Sequence, residues 1–454
     1  MKLNNDSMLP FINFNFDLNL NFNSNFLLLF LLLLGCKQPT QPKLEPKAEL
    51  KLILEDVSCT EAWIQLTTTN LQLPATLTLY KNNVAQNNIL CYGDTLLYID
   101  SLLPNQTYKF KVVLTNNPQP TSYPQLPTSN EVSVTTMDTT SHNFTWQSWE
   151  FGECSNSVLY DVAIIDENNI WAVGEIYMRD SLGRCDPTFY NVVHWNGTNW
   201  KPKKIFYKGG IWAIRTIFAF NENDIWFSGY MRYLNGQFVE LTIPDILMGW
   251  QINKLWGSSS SDLYAVGNNG NIAHWDGVRW RKIESGTDID LLDVSGNNNE
   301  LFISGHSLDQ SKSILLKFST GQIKLVWYNN TNNTEPYGRI IYSSKLIGKN
   351  LFTVSNRGVY QQNVANNSQV KLLFPILYRT YRLTGTNSND VYIVGSRSNI
   401  QHYNGVSSKE VYIDLISTVP LYSADSKSNI VVAVGKKVEE AIYHKAIIRL
   451  GKRN

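Results

Sequence analysis

The sequence carries almost no excess charge: 39 lysines and arginines face 38 aspartates and glutamates, spread evenly, for a net charge of +1. Without a basic stripe, the composition argues against nucleic acid as the main partner. Histidine occurs six times and cysteine five times. No Cys-x-x-Cys pair and no Cys/His set at zinc spacing is present, so neither a metal nor a cofactor is expected. No apolar run approaches the roughly 20 residues that a membrane-spanning helix requires. Aromatic residues, by contrast, are plentiful, with 13 Trp and 23 Tyr, and 43% of the chain is apolar, ample for a large core. At 454 residues the chain exceeds one ordinary domain, so two or three units are expected. Asparagine runs such as "NNTNNTEP" and "GNNNE" read as loops, because Asn tolerates turn geometry.

The longest apolar run, "FLLLFLLLL" at residues 26–34, has the length of a secretory signal core. Gly35 and Cys36 follow it. This "LLGC" resembles the lipobox of bacterial lipoproteins. The resemblance implies that residues 1–35 are a signal peptide and that Cys36 is lipidated. Cys36 would then anchor the chain in a bacterial envelope, at the outer membrane or cell surface. The upstream part departs from the pattern: Lys2 is its one positive charge, and Asp6 and Asp17 oppose it. Initiation at Met8 would shorten it. Residues 36–47, with Pro39, Pro42 and Pro46, read as an extended tether. The remaining cysteines suit an oxidising compartment, with Cys59–Cys91 and Cys154–Cys185 expected as disulfides within two successive domains.

Residues 48–137 alternate apolar and polar side chains at period two. "LKLILEDV", "AWIQLTTT", "ATLTLYKNN", "TLLYIDSL", "YKFKVVLTNN" and "EVSVTT" read as short strands of an all-β sandwich. Within "LLPNQTYKFKVV", the Leu102, Pro104 and Tyr108 spacing resembles the tyrosine corner of fibronectin type III domains. That likeness implies an immunoglobulin-like sandwich, with Trp63 as its core aromatic.

Over residues 143–454 a short apolar strand recurs: "NIWAVG", "DIWFSG", "DLYAVG", "ELFISG", "NLFTVS", "DVYIVG" and "NIVVAVG". They end at Gly174, Gly229, Gly267, Gly305, Ser355, Gly395 and Gly435, at spacings of 55, 38, 38, 50, 40 and 40 residues. A strand-only repeat of that period marks a β-propeller, here of seven blades. The recurrent strand is the second of each blade. The hairpins "HWNGTNW" and "HWDGVRW" supply the third and fourth, their Asn196-Gly197 and Asp276-Gly277 reading as two-residue turns with positive φ. Asn404-Gly405 repeats the signal. The flanking tryptophans are expected to pack between neighbouring sheets. The polar residue opening each second strand is expected to close the preceding turn. The last unit lacks a fourth strand, and residues 144–152, "FTWQSWEFG", are expected to supply it and close the ring. The arrangement resembles bacterial propeller-repeat proteins of the kelch or two-component-sensor type, a likeness that implies a fold and no particular activity.

In such a fold the connections entering each blade share a face with the loops after each second strand. Cys154 and Cys185 fall there, as do the long loops "EIYMRDSLGRCDPTFYN" and "YNNTNNTEPYGR". Trp212, Arg215, Tyr337, Arg339 and Tyr381 lie near the starts of inner strands, close to the axis. Aromatics with Arg there could stack on and hydrogen-bond a glycan or a protein; alternatively they fill the inner mouth of the ring. The expected function is binding or scaffolding at this face. The alternative is a carbohydrate-active hydrolase or lyase with its site over the channel. Sialidase-type propellers carry Ser-x-Asp-x-Gly-x-Thr-Trp repeats, and "HWDGVRW" lacks the Ser and the spacing. No catalytic residue can be assigned. His194, His274 and His402 share one repeat position in separate blades, which predicts local packing in place of a metal site.

Overall fold

The structure, a computed structural model, describes residues 47–116, 126–242, 248–329, 335–365, 370–414, 419–438 and 443–454. The signal-like run, Cys36 and most of the tether lie outside these residues. Among the described residues all regular structure is strand, and no helix is long and apolar enough to cross a membrane.

Alternating apolar side chains build two small sheets first. Glu49–Val57, Ala62–Thr69 and Thr95–Ile99 form one; Val84–Cys91, Ala75–Lys81, Thr107–Asn116 and Val132–Thr135 form the other, in those orders. Leu52, Ile64 and Leu66 of the first meet Leu77, Phe110 and Val112 of the second in a common core. The Tyr108 hydroxyl accepts the Leu103 N–H at 2.9 Å, as the spacing predicts. Val84–Cys91 has no signal in the sequence, because its centre is polar and exposed.

Two expectations fail here. Trp63 is buried, yet it lies on the other face of its strand from Ile64, against Tyr98 with ring centroids 5.7 Å apart. Cys59 and Cys91 are both free and buried. Cys91 belongs to the core between the two sheets, its thiol directed to the Gly93 carbonyl. The Cys59 thiol reaches the Asp138 carbonyl and, farther along the chain, that of Asn404. The two sulfurs therefore have separate surroundings. Burial, with Asp138 and Glu61 nearby, pushes the Cys59 thiol up to about 11, so it stays protonated. The expected Cys154–Cys185 disulfide is present, with Cα atoms 5.6 Å apart.

Seven four-stranded antiparallel sheets follow, and each recurrent apolar segment forms the second strand of one. The inner strands are Val158–Asp166, Ile217–Asn221, Ile252–Ser259, Leu291–Gly296, Ile341–Ile347, Thr380–Asn387 and Leu421–Lys427. Each contacts the next, and the last contacts the first, which makes the array a β-propeller. The closing strand pairs as the sequence predicts. Phe144–Phe151 lies antiparallel to Lys445–Arg453, from Arg453 opposite Phe144 to Ala446 opposite Phe151.

The hairpins differ from expectation in one respect. Trp275 pairs with Trp280, so Asp276-Gly277 opens a four-residue loop. Only Gly277 takes a positive φ, of 90°. Asp276 does not need one, because its carboxylate accepts the Val278 and Arg279 N–H groups at 3.0 and 2.9 Å and so spans the wider loop. Asn196 and Asn404 do the same. The tryptophans pack between sheets as predicted. Trp149 of the closing strand meets Trp195 and Trp200, at 5.5 and 6.1 Å, and Trp226 meets Trp275 and Trp280, at 5.4 and 6.1 Å.

The polar residue opening each second strand does more than flank a turn. Asp262 bonds His274 of the third strand at 2.8 Å, and His274 stacks on Tyr264 at 4.4 Å. Asn169, His194 and Trp171 repeat this clamp, as do Asp390, His402 and Tyr392. In the second sheet Arg232 takes the role of the histidine, between Asp224 and Trp226. His194 and His274 therefore pack locally, each within its own sheet, while His402 also meets Phe144 of the closing strand.

The two-sheet unit docks on the turn face of the fifth and sixth propeller sheets. Lys349 N–H donates to Asp56 at 3.1 Å, Gln361 to Glu61 at 3.1 Å, and Asn389 to the Asp138 carbonyl at 2.8 Å. His142, just before the closing strand, places Nδ1 2.9 Å from Nδ1 of His402.

Burial lowers His142 to about 4, with His402, Lys409 and Arg453 adding to the effect. Burial, with Lys203 and Lys201, lowers His194 to about 4. The unfolded chain has both near 6.5, so it binds more protons than the folded chain between about pH 4 and 6.5. Their contribution to stability is complete above about pH 6.5 and is lost as pH falls toward 4. Thermal melts are expected to show this decline, and the double variant His142→Asn/His194→Asn is expected to flatten it. An unchanged slope would refute the assignment.

Candidate functional site

One sequence device shapes the mouth of the ring. Six of the seven inner strands carry a single extra residue that breaks register with the second strand: Tyr160, Asn253, Leu292, Tyr342, Tyr381 and Tyr422. Such a bulge re-aims its side chain, and all six line the mouth. Arg215, just before the second inner strand, lines it as the seventh. The recurrent small residue of the second strand lies beside the bulge for a steric reason. A Cβ on Gly174 would lie 2.0 Å from the Val158 carbonyl oxygen, and one on Gly435 would lie 1.9 Å from that of Pro420.

These residues enclose a cavity of about 520 Å³ on the face opposite the docked unit. Its wall is aromatic and cationic. The Arg215 guanidinium stands 4.6 Å over the Tyr160 ring and that of Arg379 stands 5.3 Å over Tyr381. Tyr422 meets Tyr381 edge-on at 5.4 Å. Among the described residues Glu175 is the single carboxylate of the lining, and it accepts hydrogen bonds from the hydroxyls of Tyr160 at 3.0 Å and Tyr177 at 3.4 Å. Burial and Glu175 push Tyr160 up to about 12, and burial beside Tyr381 pushes Tyr422 to about 12, so both remain hydrogen-bond donors. Burial also lowers His306, which stays neutral at pH 7.

The cavity has a polar floor built from the residue after each bulge. Lys254 bonds both Asp161 oxygens at 2.8 Å, across the intervening second sheet. Ser423 and Thr216 also donate to Asp161, at 2.6 and 3.0 Å. Arg382 pairs with Asp293 at 2.6 Å, and Ser343 donates to the same carboxylate. Burial alone would raise Asp161, but Lys254, Arg382 and Ser423 more than offset it and hold the carboxyl below its usual range. Farther down, burial lowers Lys345 and raises Asp425, which line the remaining narrow channel. The mouth is therefore a floored cup.

Of the residues predicted for the site, Arg215 and Tyr381 line the cup. Trp212 is 59% exposed, in the connection that leads to Arg215. Arg339 is exposed but is not part of the lining. Tyr337 is 2% exposed and sits edge-on between Trp327 and Tyr360, at 5.4 and 5.3 Å, so it is a core residue. The other bulge tyrosines were legible in the sequence. Aligned inner strands read "LYDVA", "IYSSK", "TYRLT" and "LYSAD", with Tyr at one column. Among the described residues no cluster of His, Cys, Asp and Glu could hold a metal.

The floor yields a prediction. Lys254→Met leaves Asp161 buried without its main cation, which costs about 3–5 kcal/mol of stability. Adding Asp161→Asn is expected to recover most of that loss in chemical denaturation. Equal stability of Lys254→Met and the unaltered protein would show that the floor contributes nothing.

No protein-family model and no curated protein matches this chain. Solved structures do. A structure described as YCF48 bound to D1 peptide superposes with a TM-score of 0.51 at 13% identity, over 70% of this chain and 97% of the other. YCF48 from Cyanidioschyzon merolae matches at 13% identity over 68% of this chain and 98% of the other, with a TM-score of 0.44. At this identity the likeness is one of fold, and the fold is a β-propeller.

Proposed function

We propose that this protein is an exported, lipid-anchored binding protein that receives a segment of a partner protein in the cup of its propeller. The cup carries the reading: a rigid scaffold gathers Tyr160, Tyr342, Tyr381, Tyr422, Arg215 and Arg379 at one mouth, above a floor that blocks passage. Tyr and Arg are the residue types that dominate binding energy at protein interfaces. The description of YCF48 as bound to a peptide supports a protein ligand over a glycan. The carbohydrate-active alternative draws no support from the lining. Glycoside hydrolysis uses two facing carboxylates, about 5–10 Å apart, and the described lining offers Glu175 alone.

The remaining parts fit a presentation device. We read residues 48–137 as a fibronectin type III-like sandwich, a reading that its strand order and the Tyr108 corner support. We read residues 143–454 as a seven-bladed propeller closed by an outer N-terminal strand, which the seven four-stranded sheets support. Cys36, after residues 26–34, serves as the lipid anchor at the outer membrane or cell surface of a bacterium.

Two measurements test this. Full-length protein made in a bacterium is expected in the membrane fraction with a lipid mass on Cys36, and Cys36→Ser is expected to release it or leave it unprocessed. Unmodified Cys36 in a soluble protein would remove the anchor. On an array of end-capped twelve-residue peptides, Arg215→Ala/Tyr381→Ala is expected to weaken the tightest binders at least about tenfold, the loss typical of two hot-spot side chains. Binding that is indifferent to these substitutions, or confined to an oligosaccharide array, would reject the protein-segment reading.

A further inference from the structure

The cup holds cations that nothing in the described structure neutralises. Arg382 is paired with Asp293 in the floor, but Arg215 and Arg379 are not. Among the described residues no carboxylate comes within ion-pair distance of either guanidinium; each rests on a tyrosine ring instead. Both side chains are exposed at the mouth. The one acid of the described lining, Glu175, is already engaged by two tyrosine hydroxyls. A guanidinium held flat on an aromatic ring keeps its N–H edges free, and those edges match a carboxylate's two oxygens.

A second feature adjoins Arg215. The connection into the second sheet forms its own short hairpin, Phe206–Tyr207 with Gly210–Ile211, which no other connection has among the described residues. It leaves Phe206 53% and Trp212 59% exposed, and Trp212 stands three residues before Arg215. Asn191 fixes that stretch by donating to the carbonyls of Ile205 and Trp212, at 2.8 and 3.1 Å. A large exposed apolar pair on a pinned loop beside an unpaired cation is a composite recognition surface.

Resting on the protein-segment reading above, we infer that the cup selects an acidic segment, its carboxylates paired with Arg215 and Arg379 and an adjacent apolar side chain laid against Trp212. The surplus positive charge of the described lining also speeds the encounter with such a segment, so association slows as salt rises.

The test uses the full chain and a set of end-capped hexapeptides, each with two central glutamates and varied apolar flanks, beside twins carrying glutamine. The same acidic peptides with a free terminal carboxylate, and an oligogalacturonate, complete the set. Fluorescence anisotropy is expected to give the acidic members at least about tenfold tighter binding than their twins. Arg215→Gln/Arg379→Gln is expected to abolish that preference with an unchanged melting temperature, since both side chains are exposed. Trp212→Ala is expected to weaken acidic peptides and twins by the same factor. A free terminus that binds while capped acidic peptides do not overturns side-chain selection. Twins that bind as well as acidic peptides overturn the carboxylate pairing and leave the cup a peptide site. If no peptide binds, or only the oligogalacturonate does, the protein-segment reading falls with it.

Discussion

The pairing of Phe144–Phe151 with Lys445–Arg453 is the constraint on which the rest depends. Without it the seventh sheet would present an open edge, and each inner strand would lose the closed circle that fixes its tilt toward the axis. Closure also couples the chain ends in order. The closing strand follows directly on the two-sheet unit, so sealing the ring draws residues 138–143 against the sixth sheet. His142 meets His402 there, and Asn389 takes the Asp138 carbonyl. A repeat array ordinarily needs capping units at its ends; here one strand removes both ends.

The mouth follows from a local defect repeated around that circle. Each bulge gives the inner strand one residue more than its partner; in five of the six the partner accommodates it by carrying no side chain at the point of closest approach, and beside Tyr342 the small Ser355 takes that place. Glycine is therefore needed at Gly174, Gly267, Gly305, Gly395 and Gly435 by backbone crowding. Because the bulged residue and its successor point to different levels of the axis, two rings arise from two adjacent sequence columns. The first holds mostly Tyr and lines the cup; the second holds Asp161, Thr216, Lys254, Asp293, Ser343, Arg382 and Ser423 and forms the floor. The floor also binds sheet to sheet, since Asp161 accepts the Ile217 N–H at 3.2 Å and Ser343 accepts that of Leu383 at 3.1 Å.

The sequence disclosed what repeats and hid what does not. All seven second strands were legible because a six-residue apolar segment with a fixed ending recurs. The closing strand was legible from a missing partner. The hairpin loops were misread in detail because Asn-Gly and Asp-Gly fit a two-residue turn as well as a side-chain-capped four-residue loop. Tyr337 was misjudged because nearness to an inner strand does not tell which way a ring points; Trp327 and Tyr360 close over it. Cys59 and Cys91 were paired by counting, and counting carries no information about where each sulfur is buried, Cys91 in the core between the sheets and Cys59 against the Asp138 and Asn404 carbonyls. The column of tyrosines at the mouth was available, but only to a reading that aligned first strands as carefully as second ones.

Geometry then decides what the small unit can do for the cup. Its contacts fall at the turn end of the sheets: Lys349 and Asn389 lie between first and second strands, Asn404-Gly405 between third and fourth, and Gln361 on the third strand of the fifth sheet. These turns occupy the face opposite the bulges. The junction is also tight, since a Cβ on Gly405 would lie 2.5 Å from the Cys59 sulfur. Trp63, misplaced as a sandwich-core residue, belongs to this side: its register partner Asp56 accepts the Lys349 N–H, and Tyr98 beside it donates to Glu61. The small unit therefore fixes the propeller by its closed face and leaves the cup unobstructed.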